Sequence, residues 1–281
     1  VSEPAEPSTG SSAEASPAVS ADTSAEPAAL RHAEEVMGTV VSFDIRGGDP
    51  QAVRKALDEA VAGLHYVDEV FSTYRKGSQV SRLARGELTV EECDPEVGEV
   101  LKLCAEAERS SGGWFSARPS GVLDPTGMVK GWSVERAARH ILSAGVSGVS
   151  VNGGGDVQLY GTPGPRRPWR IGVADPLRPG VLAAVVSAAG TDELAVATSG
   201  SAERGAHILD PRTHRAAATD LVSVTVVGPR LTWADAWATA AFAMGSREGL
   251  RWLESLPDTE ALLIAAGGEV RCTGGLAARL G

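Results

Sequence analysis

Gly148-Val-Ser-Val-Asn-Gly-Gly-Gly-Asp-Val-Gln-Leu-Tyr160 is where the texture of this chain changes. Val149 and Val151 alternate with polar residues before three consecutive glycines, and Val157 and Leu159 do so after them. Period-two alternation with β-branched residues reads as strand, so residues 148–151 and 157–160 are expected to pair across a glycine turn. Glycine adopts positive φ without strain and lets a ligand approach the backbone. Taken by itself, the segment reads as a plain hairpin turn or as a ligand-contacting loop.

Upstream of this point the periodicity is helical. Asp49-Pro50 supplies an N-cap and an N1 proline, and Val53, Leu57, Ala60, Leu64, Val67 and Val70 follow at spacings of three and four. A second helix opens at Asp94-Pro95 and stops before Gly112-Gly113, and a third is expected over 127–143. Before them, residues 36–45 read as one strand. Downstream come short strands at 169–173, 182–187, 194–198, 207–209 and 222–227. Helices follow at 232–244 and 247–256, and a closing hairpin at 262–265 and 269–273. Helices in one block and antiparallel-looking strands in another predict an α+β fold, in one domain over 31–281.

Residues 1–30 are different. They consist largely of Ala, Ser, Pro, Glu, Thr and Asp, a composition that buries too little apolar surface to offset its ordering entropy, so they are expected to form a disordered tail. The formal net charge of the chain is −10, and the tail holds Glu3, Glu6, Glu14, Asp22 and Glu26 with no Lys or Arg. Such acidity argues against a nucleic-acid partner, which requires clustered basic residues. Cys93, Cys104 and Cys272 lack CxxC spacing and read as free thiols rather than a disulfide scaffold. No run reaches the ~18 apolar residues of a membrane span, and there is no basic segment followed by an apolar one at the start. The compartment is open on these grounds: cytoplasmic for the chain as it stands, cell envelope for one from which an upstream signal was removed.

Four motifs carry chemistry. Asp235 and Thr239 lie four apart on the helix expected at 232–244, so both project from one face among apolar neighbours such as Trp237 and Ala240. A carboxylate and a hydroxyl side by side are hard oxygen donors suited to Mg²⁺. A first-turn acid favoured by the helix dipole would look the same. Asp124-Pro-Thr-Gly-Met-Val-Lys130 places an acid and a base across a turn that opens a helix, where free N–H groups bind anions. Lys130 could meet a phosphate there or be solvated. The glycine turn at 153–155 is the third. The fourth, Thr198-Ser-Gly200 with His207, Asp210 and Arg212 following, offers a histidine able to act as a base, or an exposed turn after a strand.

These motifs, in this order, resemble the FAD:protein FMN transferases, the ApbE-type flavin transferases. The similarity runs from Met37 to about Thr273 and includes Met37-Gly-Thr39, Ser72-Thr-Tyr-Arg75, Asp124 with Lys130-Gly131, Asn152-Gly-Gly-Gly-Asp156, Thr198-Ser-Gly200, His207-Ile-Leu-Asp-Pro211 and Ala234-Asp-Ala with Thr239. The resemblance implies a single α+β domain of mixed or antiparallel sheets and packed helices around a flavin cleft. FAD would be the substrate, contacted by Met37, Tyr74, Asp124 and Lys130 with Leu209 near it, and by Trp114, Phe115 and Ser116. Mg²⁺ would sit on Asp235, Thr239 and a backbone carbonyl placed on Gly127, with His207 as proton acceptor. FMN would pass to a Thr or Ser of a target protein with release of AMP. FAD hydrolysis to FMN and AMP, or FAD carriage without turnover, are the alternatives. The family pattern has an Asp where this chain has Ser116, and the stretch from Phe115 to Asp124 is shorter here.

Overall fold

The computed structural model describes residues 27–189, 193–201, 205 and 207–280; the expected tail lies outside them up to residue 26. The chain begins with β1 (Ala29–Val36) and β2 (Thr39–Arg46). Thus β1 takes in Ala29 and Leu30, which composition assigns to the tail. The single strand expected at 36–45 is a hairpin. Val36 pairs with Thr39, so Met37-Gly38 is the two-residue turn, with φ of 55° and 70°. Positive φ at both central positions is the turn whose twist matches antiparallel strands. A methionine there resembles an ordinary strand residue in sequence, which is why the turn escapes the pattern.

Helices α1 (Pro50–Phe71), α2 (Gln79–Ala84), α3 (Pro95–Ser110) and α4 (Thr126–Leu142) follow. The Asp49 carboxylate accepts from the Ala52 N–H at 2.9 Å, and Pro50 opens α1 as expected. The α1 positions at spacings of three and four are all buried. The short α2 has too few residues to show a period.

Strands β3 (Gly148–Gly153) and β4 (Asp156–Gly161) form the hairpin expected from the opening segment. Then come β5 (Arg170–Ala174), β6 (Leu182–Ser187), β7 (Glu193–Gly200), β8 (Leu209–Asp210), β9 (Arg215–Ala216) and β10 (Leu221–Gly228). Helices α5 (Leu231–Met244) and α6 (Ser246–Glu254), then β11 (Glu260–Ala265) and β12 (Val270–Cys272), complete the order. The strand expected at 207–209 does not contain His207, which precedes β8.

One antiparallel sheet runs β1-β2-β3-β4-β7-β10-β11-β12, flanked by the separate hairpins β5-β6 and β8-β9. Both faces of its centre are covered. Ala195, Ala197, Val224, Val226, Ala261 and Leu263 join the core that includes residues of α1, α4 and α5. Their alternates Leu194, Val196, Val227, Leu262 and Ile264 pack on the other side with Val173 and Val186 of the β5-β6 hairpin. Alternation across a strand therefore gives near-continuous apolar runs here rather than an apolar–polar pattern. Helix α5 is buried along most of its length, lying against β7 and β10 with α4 and α6 beside it. This central helix fixes the position of Asp235.

Candidate functional site

Helix α5 starts without a side-chain cap from its own N-cap residue, Arg230. Its orphan N–H groups are met from outside. The Leu231 N–H donates to the Gln158 Oε1 at 2.8 Å, and the Thr232 N–H to the Glu135 Oε2 at 3.0 Å. Glu135 also accepts from the Thr232 hydroxyl at 2.6 Å, Arg230 at 2.8 Å and Arg139 at 2.9 Å. Buried polar groups require such partners, and here they pin the start of α5 to β4 and α4.

One turn further along, Asp235 is 4% exposed. Its Oδ2 accepts from the Gly131 N–H of α4 at 3.0 Å, and its Oδ1 lies 3.4 Å from the Lys130 Nζ. Lys130 is also paired with Asp156, which is 1% exposed at the start of β4 and accepts from the Thr198 N–H at 2.8 Å. Two buried carboxylates thus share one ammonium. Burial pushes the Asp235 carboxyl above the usual carboxylate range, against the opposing pull of Lys130. Burial alone would lower the Lys130 pKa, but Asp235 and Asp156 outweigh it and hold the ammonium above the usual lysine range.

These groups form the floor of a cavity of about 840 Å³. Most residues singled out from the sequence line it, namely Met37, Tyr74, Trp114, Phe115, Ser116, Asp124, Gly127, Lys130, His207, Leu209, Asp235 and Thr239, whereas Asp210 and Arg212 do not. Their settings differ. Met37 projects from the strained turn position, its Sδ receiving the Ser133 hydroxyl at 3.7 Å. Tyr74 is 95% exposed at the rim, whereas Phe115 is buried beside Gly127. Trp114 donates from Nε1 to Glu248 at 3.0 Å, and the Arg212 guanidinium stacks 3.3 Å above its ring. The Ser116 hydroxyl accepts from the Arg118 N–H at 3.0 Å rather than offering a carboxylate to the cavity. Asp124 accepts from the Thr126 N–H and hydroxyl at 3.1 and 2.6 Å, closing the turn before α4.

The His207 Nδ1 lies 3.0 Å from the Gly205 carbonyl. A carbonyl only accepts, so Nδ1 carries the proton of the neutral ring and Nε2 keeps its lone pair. Asp210, its expected neighbour, instead accepts from the Arg212 N–H at 2.9 Å.

Among the described residues no three His, Cys, Asp or Glu side chains converge into a metal cage. The donors that a hard cation would find are of another kind. Asp235 supplies a carboxylate. The Thr239 hydroxyl lies 3.1 Å from the Ser199 hydroxyl. The Gly131 N–H given to Asp235 is the one that faces the Gly127 carbonyl in an α-helix, so Asp235 competes with that carbonyl for its donor. Two carboxylates against one ammonium leave one negative charge in excess. The oxygen chemistry and the charge fit Mg²⁺.

Asp156 is the part of this floor that the sequence reading left without a role. The signal for it is its place directly after the glycine turn, where a carboxylate at the start of β4 faces the cavity.

Fold and floor define an α+β protein whose deep cleft ends in oxygen donors around a half-buried lysine. The model of the ApbE family matches residues 37–120 and 116–263, and the chain belongs to that family. A FAD:protein FMN transferase of Rhodobacter capsulatus is 34% identical over 173 residues, covering 59% of this chain and 32% of that protein. One of Treponema pallidum is 30% identical over 174 residues, covering 56% of this chain and 48% of that protein. These matches span a third to a half of the relatives' length. The flavin transferase ApbE of Vibrio cholerae superposes with a TM-score of 0.75 at 22% identity, over 90% of this chain and 100% of that one. That likeness establishes the α+β fold with its large antiparallel sheet. No helix of the described residues is long and apolar enough to cross a membrane.

Proposed function

We propose that the protein is a Mg²⁺-dependent FAD:protein FMN transferase that attaches FMN through a phosphoester to a Thr or Ser of a target protein and releases AMP. The observation that carries this reading is the floor: Lys130 between Asp156 and Asp235, in a cavity that Thr239, Met37, Tyr74, Asp124 and His207 also line. Breaking a pyrophosphate relies on charge neutralisation and in-line placement. Asp235, Thr239 and the Gly127 carbonyl would hold the metal, which when bound supplies Lewis-acid stabilisation of phosphate charge.

Lys130 offers a fixed positive charge at the same floor, held by Asp156 so that it needs no reorganisation as charge develops. The cavity walls supply apolar and aromatic surface for a flavin from Met37, Tyr74 and Leu209, with Phe115 packed behind them and Trp114 locked by Glu248 and Arg212. His207 Nε2, its lone pair free, takes the proton of the incoming hydroxyl, a contribution worth roughly 10²–10⁴-fold. AMP departs once the bond between the two phosphates has broken.

The test is product analysis. The protein is incubated with FAD, Mg²⁺ and a candidate acceptor domain, with and without a chelator. Metal-dependent formation of flavinylated acceptor supports the reading. Free FMN and AMP in place of the adduct would make the protein a hydrolase, and bound, unconsumed FAD a carrier.

A further inference from the structure

A second depression, of about 590 Å³, lies next to the flavin cavity. The same two loops line both. The loop after α3 gives Trp114 to the cavity, Arg118 to the depression and Ser116 to each; the segment from His207 gives Leu209 to the cavity, Arg212 and His214 to the depression and Pro211 to each. The two loops are clipped together, since the His214 Nδ1 donates to the Pro119 carbonyl at 2.9 Å and Arg212 stacks on Trp114. The wall between the two spaces is therefore a tied unit that begins at the proposed base.

The depression has an apolar floor and a basic side. Leu83, Leu101 and Leu123 form the floor. Arg118, Arg212 and His214 line it, opposed among its lining residues by Glu108 alone. Among the described residues, neither guanidinium has a hydrogen-bonded or ionic partner; Arg212 makes only its stack. A guanidinium stacked through its face keeps its N–H edge free for a carboxylate. On a chain of net charge −10, this local basic lining is contrary to the bulk of the molecule.

We infer that this groove receives the acceptor protein as an extended, acidic segment. Its carboxylates meet Arg118 and Arg212, an apolar side chain enters the leucine floor, and its hydroxyl residue reaches over Ser116 and Pro211 towards His207. The inference rests on the transferase reading for the word acceptor; the groove and its charge stand without it. Charge complementarity of this kind sets partner choice and association rate.

The test uses the full chain and two labelled synthetic peptides, one with a Thr flanked by Asp and Leu and its twin with Lys for each Asp. Fluorescence anisotropy reads docking, and intact mass with FAD and Mg²⁺ present reads transfer. The acidic peptide should bind and its twin should not. Arg118→Glu should weaken acidic-peptide binding about tenfold, the scale of one lost and reversed charge contact. Arg118→Lys should keep most of it, and FAD binding should be unchanged in both. Equal binding of both peptides, no effect of Arg118→Glu, or displacement of the peptide by AMP or inorganic phosphate would overturn the inference, the last assigning the groove to a small anion. Charge-dependent docking without any FMN adduct would leave the groove in place and remove the transferase reading instead.

Discussion

The Gly131 N–H donates to the Asp235 carboxylate at 3.0 Å, so α4 and α5 meet at a backbone-to-carboxylate contact in the floor of the cavity. Only a glycine permits this approach. A Cβ at position 131 would fall 2.6 Å from the Leu231 carbonyl oxygen and 2.9 Å from the Asp235 Cβ.

Gly131→Ala should therefore force the two helices apart where Lys130 and Asp235 share charge. Overpacking of this sort costs about 1–3 kcal/mol. Urea denaturation should show that loss, and FAD turnover should fall by more than the change in folded fraction explains. Unchanged stability and activity would mean that the helices yield at no cost.

Asp235→Ala is expected to abolish turnover with a much smaller effect on folding, because Lys130 keeps Asp156 as partner. Asp235→Asn makes a second point. Burial holds the Asp235 carboxyl above its usual range, so the folded state binds this proton more tightly than the unfolded chain. Below the ordinary carboxylate range both states are protonated and no penalty exists. As pH rises through the raised value, the unfolded chain gains from ionising more readily and the folded protein loses stability. In metal-free buffer, Asp235→Asn should thus gain on the parent as pH rises from 4 to neutrality, by calorimetry. A constant difference would contradict the desolvated setting of this carboxylate.

His207→Ala should lower kcat strongly and change FAD affinity little, since a base acts in the transition state rather than in binding. Weak FAD binding with a near-normal rate at saturation would make His207 a flavin contact and shift the base elsewhere.

Thiol accessibility checks the packing away from the site. Burial pushes the Cys104 thiol up to about 12, and the thiolate is the reactive form. At mildly alkaline pH an alkylating reagent should label exposed Cys272 first, half-buried Cys93 more slowly and Cys104 only on unfolding. Mass mapping reads the order. Early labelling at Cys104 would contradict the α3 packing.

What the sequence disclosed was local. Asp49-Pro50 and Asp94-Pro95 open their helices where the sequence places them, with a side-chain cap at Asp49 and a proline in the first turn of both, and Asp235 and Thr239 share a face because i and i+4 must. The contacts that give those residues a setting are long-range. Asp156 meets Lys130 from 26 positions away and Gly131 meets Asp235 from 104, and no local pattern records such pairs. Sheet order was hidden for the same reason: β7 pairs with β4 across the intervening β5-β6 hairpin. The Met37-Gly38 turn was hidden differently. A side chain lining the cavity occupies a position where glycine or asparagine is usual, so a residue placed for the site masks the signal for the turn.

The most direct measurement of the central claim is stoichiometry. With FAD, Mg²⁺ and an acceptor protein, AMP is quantified by chromatography and acceptor-bound FMN by intact mass over the same time course. Transfer predicts one AMP for each FMN fixed to a Thr or Ser, with little free FMN. AMP matched by free FMN, with an unmodified acceptor, would contradict it.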